Sequence, residues 1–495
     1  MRKIAGRIMC VLLAAVLMAG LIPTVYVPKC VFPLFHQVKF CDRITSDRTG
    51  GDGKHKMREV KLTEGSIFGG LLRFSLPMIG GNLLQQVYNL TDTLIVGRYI
   101  GSDALGAVGS VYTLMVFLTS ILIGLSMGSG AFFSADYGAG DTRQLREDIR
   151  LSFRFILAVS ALISVAVYPA TEPILALLQT PRELMDMTRD YVRVAFGGLM
   201  FIFLYNFFAY LLRAMGNSVV PLIFLGISTV LNIGLDIWFV VGLGWGVAGA
   251  AWATVLAQAV AGVGIALYAL RRLPLLHTPV PKSRTPGRLR QIVAGDIATG
   301  VQQSVMNFGI LMIQGLVNSF GPIVMASFAA AVKIDTIAYM PAQEFGNAYS
   351  LFVSQNYGGG KPERVQKGTG IAFGTAVGFC LISSVLVFTF AGALMGLFIA
   401  PEETAILAEG VRYLRIEGAM YVGIGILFLW YGYFRGIGRP RVSLLLTVIS
   451  LGTRVALAYA LAPRTSLGVT AIWLAIPIGW LLADLTGWVL YRRGH

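Results

Sequence analysis

Charge is scarce in this sequence. Asp, Glu, Lys and Arg make up 13% of its 495 residues, against 56% for the apolar types. With a mean hydropathy of +0.71, that balance excludes an ordinary soluble protein of this length and places the chain in a bilayer. Cysteine is scarce too. Of four, Cys10, Cys30 and Cys41 lie near the start and Cys380 in an apolar run. This excludes a disulfide framework, and without a CxxC pair no metal or redox centre is expected. The four histidines, His36, His55, His277 and His495, all fall outside the predicted spans. Their placement leaves Ser126, in a GxSxG match at Gly124 to Gly128, without a histidine base. A GxGxxG match at Gly244 to Gly249 opens no strand-to-helix unit and reads as close helix packing. No GxxxxGK phosphate loop is present either, so neither an enzyme nor a bound cofactor is expected. The excess of basic residues, net +15, raises nucleic acid as a partner. Here the Lys and Arg sit between apolar runs instead of on one face of a soluble fold, which argues against it.

What is present is a series of long apolar runs, the first at residues 67–97, where the only charges are Arg73 and Asp92. Further runs fall at 104–136, 151–171, 190–212, 219–242, 246–270, 291–320, 324–356, 368–399, 408–434, 441–462 and 467–491. Each is long enough to cross a hydrocarbon core of about 30 Å as a helix. The expected fold is an all-α polytopic membrane protein with about twelve spans.

The connections alternate in charge. One set carries Arg143, Arg146 and Arg150, then Arg213, then Arg271 to Arg290, then Lys361, Arg364 and Lys367, then Arg435, Arg439 and Arg441; the other is short, neutral or acidic, apart from a mixed stretch from Arg182 to Arg193. By the positive-inside rule the basic set is cytoplasmic, and Arg492 with Arg493 puts the C-terminus there as well. A cytoplasmic-membrane protein with both termini inside is expected.

Residues 1–56 differ from the rest: Arg2, Lys3 and Arg7 flank an apolar run at 8–27, and a basic stretch leads to Lys56. Inserting that run would invert every later span against the loop charges. We expect a non-inserted extension, or a start at Met57.

The Pro-rich basic linker at 271–290 divides the chain into a lobe at 57–270 and another at 291–495. The two repeat: SADYGAGD from Ser134 matches SQNYGGGK from Ser354, LLRAMGNSVVP from Leu211 matches YFRGIGRPRVS from Tyr433, and GVAGAAWAT from Gly246 matches GVTAIWLAI from Gly468, all at an offset of about 220. With an even number of spans each, the copies form a parallel repeat, an arrangement that commonly holds its substrate between the halves.

Polar residues in the spans are patterned. Asn82, Gln85, Gln86, Asn89, Asp92 and Thr93 recur at helical spacing and share a face. Ser228, Asn232 and Asp236 stack on the fifth span, and Thr254 with Gln258 on the sixth. In the second half Gln303, Asn307, Gln314 and Asn318 form a stripe without an acid. Intramembrane carboxylates are costly and mark transport pathways. A desolvated carboxylate binds and releases protons near neutral pH, and several oxygens together hold Na⁺. The coupling candidates are Asp92, Asn89, Asn232, Asp236 and Thr254. Asn82, Gln85, Gln86, Gln303, Asn307 and Gln314 are candidates for the substrate cavity. Asp335 and Glu344 are secondary coupling candidates, with Lys333 read as a structural partner of Asp335, and Glu417 and Asp484 are placed near the interface.

The run NLLQQVYNLTDTLIVGRYIG, the two copies ADYGAG and QNYGGG, and LNIGLD followed by GVAGAAWAT resemble the multidrug and toxic compound extrusion (MATE) family over residues 65–491. The resemblance implies two six-helix lobes with a cavity between them and export of drugs or cations driven by H⁺ or Na⁺. It carries Asp92 as the first-helix protonation or ion site, with Asn232, Asp236 and Thr254 beside it. Ile237 stands where many members have proline and Ala135 where Gln is common. The expected protein is a monomeric antiporter that exports amphipathic or cationic drug-like compounds in exchange for H⁺ or Na⁺ by alternating access, with Pro77 and Pro341 allowing bends. The alternative is a flippase for lipid-linked or polyprenyl substrates, which often needs a cationic cavity that the stripes do not offer.

Overall fold

The computed structural model describes residues 60–177, 182–278 and 285–494. The extension at 1–56, the start at Met57 and the middle of the linker, with Lys282 and Arg284, lie outside the described residues. Among the described residues all regular structure is helical. The order is α1 (Ile67–Tyr99), α2 (Ser102–Ala139), α3 (Thr142–Leu177), α4 (Met185–Gly197), α5 (Leu199–Ala214), α6 (Val219–Asp236) with a π turn at Ile237–Gly242, and α7 (Gly246–Arg272). The second half continues with α8 (Arg288–Asn318), α9 (Pro322–Gly358), α10 (Pro362–Met395), α11 (Thr404–Gly418), α12 (Tyr421–Gly436), α13 (Pro440–Leu461) and α14 (Val469–Arg493).

Among the described residues ten helical segments are long and apolar enough to cross a membrane, α4 and α5 counting as one; α11 and α12, bent by 51°, make an eleventh. The twelfth expected span is α8. It is long enough, but Asp296, Gln302, Gln303 and Asn307 lower its apolarity. The mixed stretch at Arg182 to Arg193, expected as a loop, is largely helix: Arg189 donates to Asp186 on its own helix at 2.6 Å and pairs with Glu172 on α3.

Helix ends follow local chemistry. Ser66 caps α1 by accepting from the Gly69 amide, and Pro322, Pro362 and Pro440 open their helices, where a missing N–H costs nothing. Pro77 and Pro341 lie inside continuous helices. The repeat is visible in the backbone: Gly140 (φ 72°) and Gly360 (φ 66°) take the same left-handed turn after α2 and α9, which favours glycine.

Packing within the halves corresponds copy for copy. In the first, α1 lies on α6, α2 on α5 and α6 on α7; in the second, α8 lies on α13, α9 on α12 and α13 on α14. Between the halves α2 packs on α8, α1 on α9, and α2 crosses α9. Small residues bring α2 and α8 together: a Cβ on Gly124 would sit 2.6 Å from the Gly300 Cα, and one on Gly128 2.8 Å from the Asp296 Cα. Close backbone approach of this kind is how membrane helices associate. Ser126 donates to the Leu122 carbonyl at 2.9 Å, so the GxSxG run is a packing surface. Gly249 of the GxGxxG run likewise rests on Trp245 and Phe239. At the α2–α9 crossing the contact is reciprocal. A side chain on Gly138 would collide with the backbone of Gln355, and one on Gly358 with that of Ala135. These four residues are two pairs of repeat mates.

Candidate functional site

The first polar pocket lies inside the N-terminal half. α1 brings Tyr88 and Asp92, α6 brings Asn232 and Asp236, and α7 brings Thr254. Tyr88 donates to Thr254 Oγ1 at 3.1 Å, and Asn232 Nδ2 reaches the same oxygen at 3.5 Å. Asn232 and Asp236 are fully buried. Among the described residues Asp92 Oδ1, Asn232 Oδ1 and both carboxylate oxygens of Asp236 have no hydrogen-bond partner. Buried polar atoms are nearly always satisfied, so four acceptors left open in one pocket are unusual. Asp92 lies within electrostatic reach of Asp236, and both lie within reach of the Tyr88 and Tyr191 phenols. Asp92 and Asp236 make no hydrogen bond to each other, since neither oxygen of Asp236 has a partner among the described residues. Asn89 sits one turn before Asp92, where its carbonyl accepts from Thr93; its side chain is half-buried and makes no hydrogen bond to Asp92. Tyr88 and Tyr191 complete the pocket and were not expected. Tyr88 stands four residues before Asp92, the spacing that carries a side chain to the same helical face.

The remaining α1 candidates divide. Gln85 is exposed and Gln86 half-buried, whereas Asn82 points to the other half and donates to Glu344 Oε1 at 2.9 Å. Asn347 Nδ2 reaches the same oxygen at 3.3 Å. Glu344 thus sits where α1 meets α9. Of the α8 candidates, Asn307 and Gln303 line cavities in the second half, but Gln314 donates to Asn318 at 2.8 Å and lines neither.

The larger of these cavities, about 270 Å³, is bounded by Asp335, Glu417, Arg454 and aromatic rings. Asp335 and Glu417 are 2% and 4% exposed, and the Tyr421 hydroxyl bonds Asp335. This corrects the placement of Glu417 near the interface. It closes α11 just before the bend, and a broken span carries its ends into the bundle. Asp484 Oδ1 is also buried, without a partner among the described residues. The Lys333–Asp335 pair is not formed: Asp335 turns inward while Lys333 is exposed, since residues two apart on a helix do not share a face.

At the end of the bundle that carries the basic loops, each half clasps the other. Arg288, opening α8, donates from Nε to Asp148 Oδ1 (3.0 Å) and from Nη2 to Asp148 Oδ2 (2.5 Å) and Asp136 Oδ1 (3.1 Å). Ser129 donates to Asp296 Oδ2 at 2.6 Å, and Glu147 accepts from the Thr285 amide at 3.1 Å. The mirrored clasp uses the other copy. Arg364 donates to the carbonyls of Glu64 (2.8 Å) and Gly65 (3.0 Å), Lys361 to Thr63 (3.0 Å) and Asn356 to Leu62 (3.2 Å). The two halves are therefore locked together at this end.

Comparison with known proteins agrees with this architecture. The family model described as MatE matches residues 77–238 and 298–460, once in each half. The chain is 29% identical over 441 residues to the probable multidrug resistance protein YpnP of Bacillus subtilis, covering 89% of this chain and 98% of that one. It is 24% identical over 415 residues to the probable multidrug resistance protein NorM of Thermotoga maritima, covering 82% and 88%. Among solved structures, a MATE protein crystallised in complex with MaD3S superposes with a TM-score of 0.82 at 25% identity, covering 88% of this chain and 98% of that one. Two family matches, a repeated helical architecture and relatives matched over nearly their whole length lead to one assignment: this chain is a multi-pass membrane protein of the MatE family.

Proposed function

We propose that the protein is a secondary antiporter that exports amphipathic or cationic compounds in exchange for H⁺ or Na⁺. The observation that carries this reading is the set of four open acceptor atoms on Asp92, Asn232 and Asp236. Two carboxylates that share a pocket where three of their oxygens meet no donor call for a cation or proton there, and an all-oxygen set of ligands is the chemistry of hard cations. YpnP and NorM are each named a probable multidrug resistance protein, which supports export of small organic compounds.

In this reading the lobes comprise residues 57–270 and 291–495, joined by a cytoplasmic linker at 271–290, in a monomer of the plasma membrane with both termini inside. The clasped end then faces the cytoplasm. Loading Asp92 and Asp236 with a proton or Na⁺ changes the charge between α1 and α6, and α1 transmits it through Asn82 to Glu344 on the other lobe. Asp335 and Glu417 are a second candidate coupling pair.

The test is efflux of a fluorescent cationic dye from vesicles under an imposed H⁺ or Na⁺ gradient. Wild type should respond to one gradient and Asp92→Asn to neither. Full gradient-driven efflux by correctly inserted Asp92→Asn would overturn the assignment of the site.

A further inference from the structure

The pockets and clasps lie inside the bundle, but the outer surface carries a charged feature that neither of them uses. It lies at the basic end, where α13 starts and α14 stops. Arg439 and Arg441 flank Pro440 at the start of α13, and Arg492 and Arg493 close α14. All four are exposed, and among the described residues none forms an ion pair. The only acid after Gly436 is Asp484, half-buried two turns before Arg492. The two helices pack on each other, and Arg439 Nη1 lies 3.6 Å from where a Cβ on Gly494 would sit. The shared end of α13 and α14 therefore gathers four guanidinium groups without a counter-charge.

Each helix leads an exposed apolar stripe to this end. On α14 Leu481, Leu485, Trp488 and Arg492 follow at spacings of four, three and four; on α13 Arg441, Leu445 and Val448 follow at four and three. Such spacings keep residues on one helical face. The Arg492 guanidinium lies over the Trp488 ring at 5.2 Å, and tryptophan in a span marks the depth of the lipid–water boundary. A surface for acyl chains thus runs directly into a cluster for a charged head group. The repeat shows that the fold does not require this cluster. α7 also ends in two arginines, Arg271 and Arg272, but before and at the start of α6 Asn217 and Val219 stand in the places of Arg439 and Arg441. Asn217 Oδ1 accepts from the Val220 amide at 3.1 Å, a bond that an arginine, having no acceptor, does not make. The second copy exchanges that bond for two charges.

We propose that this corner of α13 and α14 binds an anionic phospholipid, the phosphate meeting Arg439 and Arg492 and the acyl chains lying along the leucine stripes. The planar guanidinium fork matches phosphate oxygens, and basic clusters between membrane helices hold anionic head groups. The inference goes beyond the transporter reading and does not rest on it.

Native mass spectrometry of the full chain tests it, after equilibration in micelles holding equal amounts of phosphatidylglycerol and phosphatidylcholine with the same acyl chains. Phosphatidylglycerol should be retained about tenfold over phosphatidylcholine. An arginine near a charged lipid surface is worth about fivefold in binding, so Arg439→Gln combined with Arg492→Gln should lower that ratio about fivefold or more. Arg439→Lys combined with Arg492→Lys should keep part of it. All four side chains are exposed, so the melting temperature without lipid should not move; Arg441→Gln combined with Arg493→Gln carries the test if the first pair does not fold. Arg271→Gln combined with Arg272→Gln, at the matching end of α7, should leave the ratio unchanged. Equal retention of the two lipids, a ratio that survives both glutamine pairs at α13 and α14, or an equal fall in the α7 pair would overturn the proposal. Displacement of the retained lipid by millimolar glycerol phosphate would overturn it as well, since a free phosphate would then suffice.

Discussion

Breaking the Arg288 clasp should release the two halves at their basic end. Asp148 is fully buried, Asp136 is 11% exposed and Arg288 18%, so Arg288→Gln leaves a buried carboxylate without its counter-charge. Removing one partner of a buried pair costs about 3–5 kcal/mol, and the partial exposure of Arg288 argues for the lower end. Once the halves part, water solvates Asp148 and the cost disappears, so the penalty falls on the closed arrangement alone. About 3 kcal/mol moves the ratio of closed to open forms roughly a hundredfold. Spin labels at the exposed positions Arg150 on α3 and Glu363 on α10 would report it by electron–electron distance measurement. The wild type should show one short distance; Arg288→Gln should add a longer population. Arg288→Lys should fall between them, because lysine keeps the charge and loses the two-pronged contact. A distance distribution unchanged in folded Arg288→Gln would refute the reasoning.

Other outcomes follow from neighbouring features. Gly138→Val and Gly358→Val should each shift the same distance distribution toward the longer population, since either side chain meets the opposite backbone and overpacking costs about 1–3 kcal/mol. Ser126→Ala should leave dye efflux unchanged and move the melting temperature little, because the hydroxyl bonds only its own helix; loss of efflux would reopen the case for a catalytic serine. Glu417→Gln should reduce the ion flux per dye molecule exported, read by a pH- or Na⁺-sensitive probe inside the vesicles, and an unchanged ratio would confine coupling to the first half.

The N-terminal pocket was legible because its signal is local. Asp92 and the Asn–Asp pair on α6 stand out against apolar runs at helical spacing, and close packing of α1, α6 and α7 brings them together. Tyr88 and Tyr191 were not legible, since a tyrosine in a membrane helix reads equally well as core or interface. Glu417 was misplaced because Arg412 and Arg415 precede it, a run that looks like a helix end at the surface until the bend at α11–α12 buries it. The contact of Asn82 with Glu344 joins residues 262 apart, and no local pattern announces such a partner. The stripe on α8 did not separate Gln303 and Asn307, which face cavities, from Gln314, which bonds a neighbour on its own helix.

The reciprocal crossing of α2 and α9 bears on how fast the halves can part. Gly138 and Gly358 present bare backbone to each other's helix, so the closest approach itself holds no side chain; beside it Ser134 donates to the Leu351 carbonyl at 3.0 Å and Gln355 to the Ala214 carbonyl at 2.7 Å. Parting the halves at that point breaks those two buried bonds but requires no bulky side chain to withdraw from between the helices. The crossing therefore works as a bearing: it fixes where the two bodies touch, and two hydrogen bonds set the resistance to their turning.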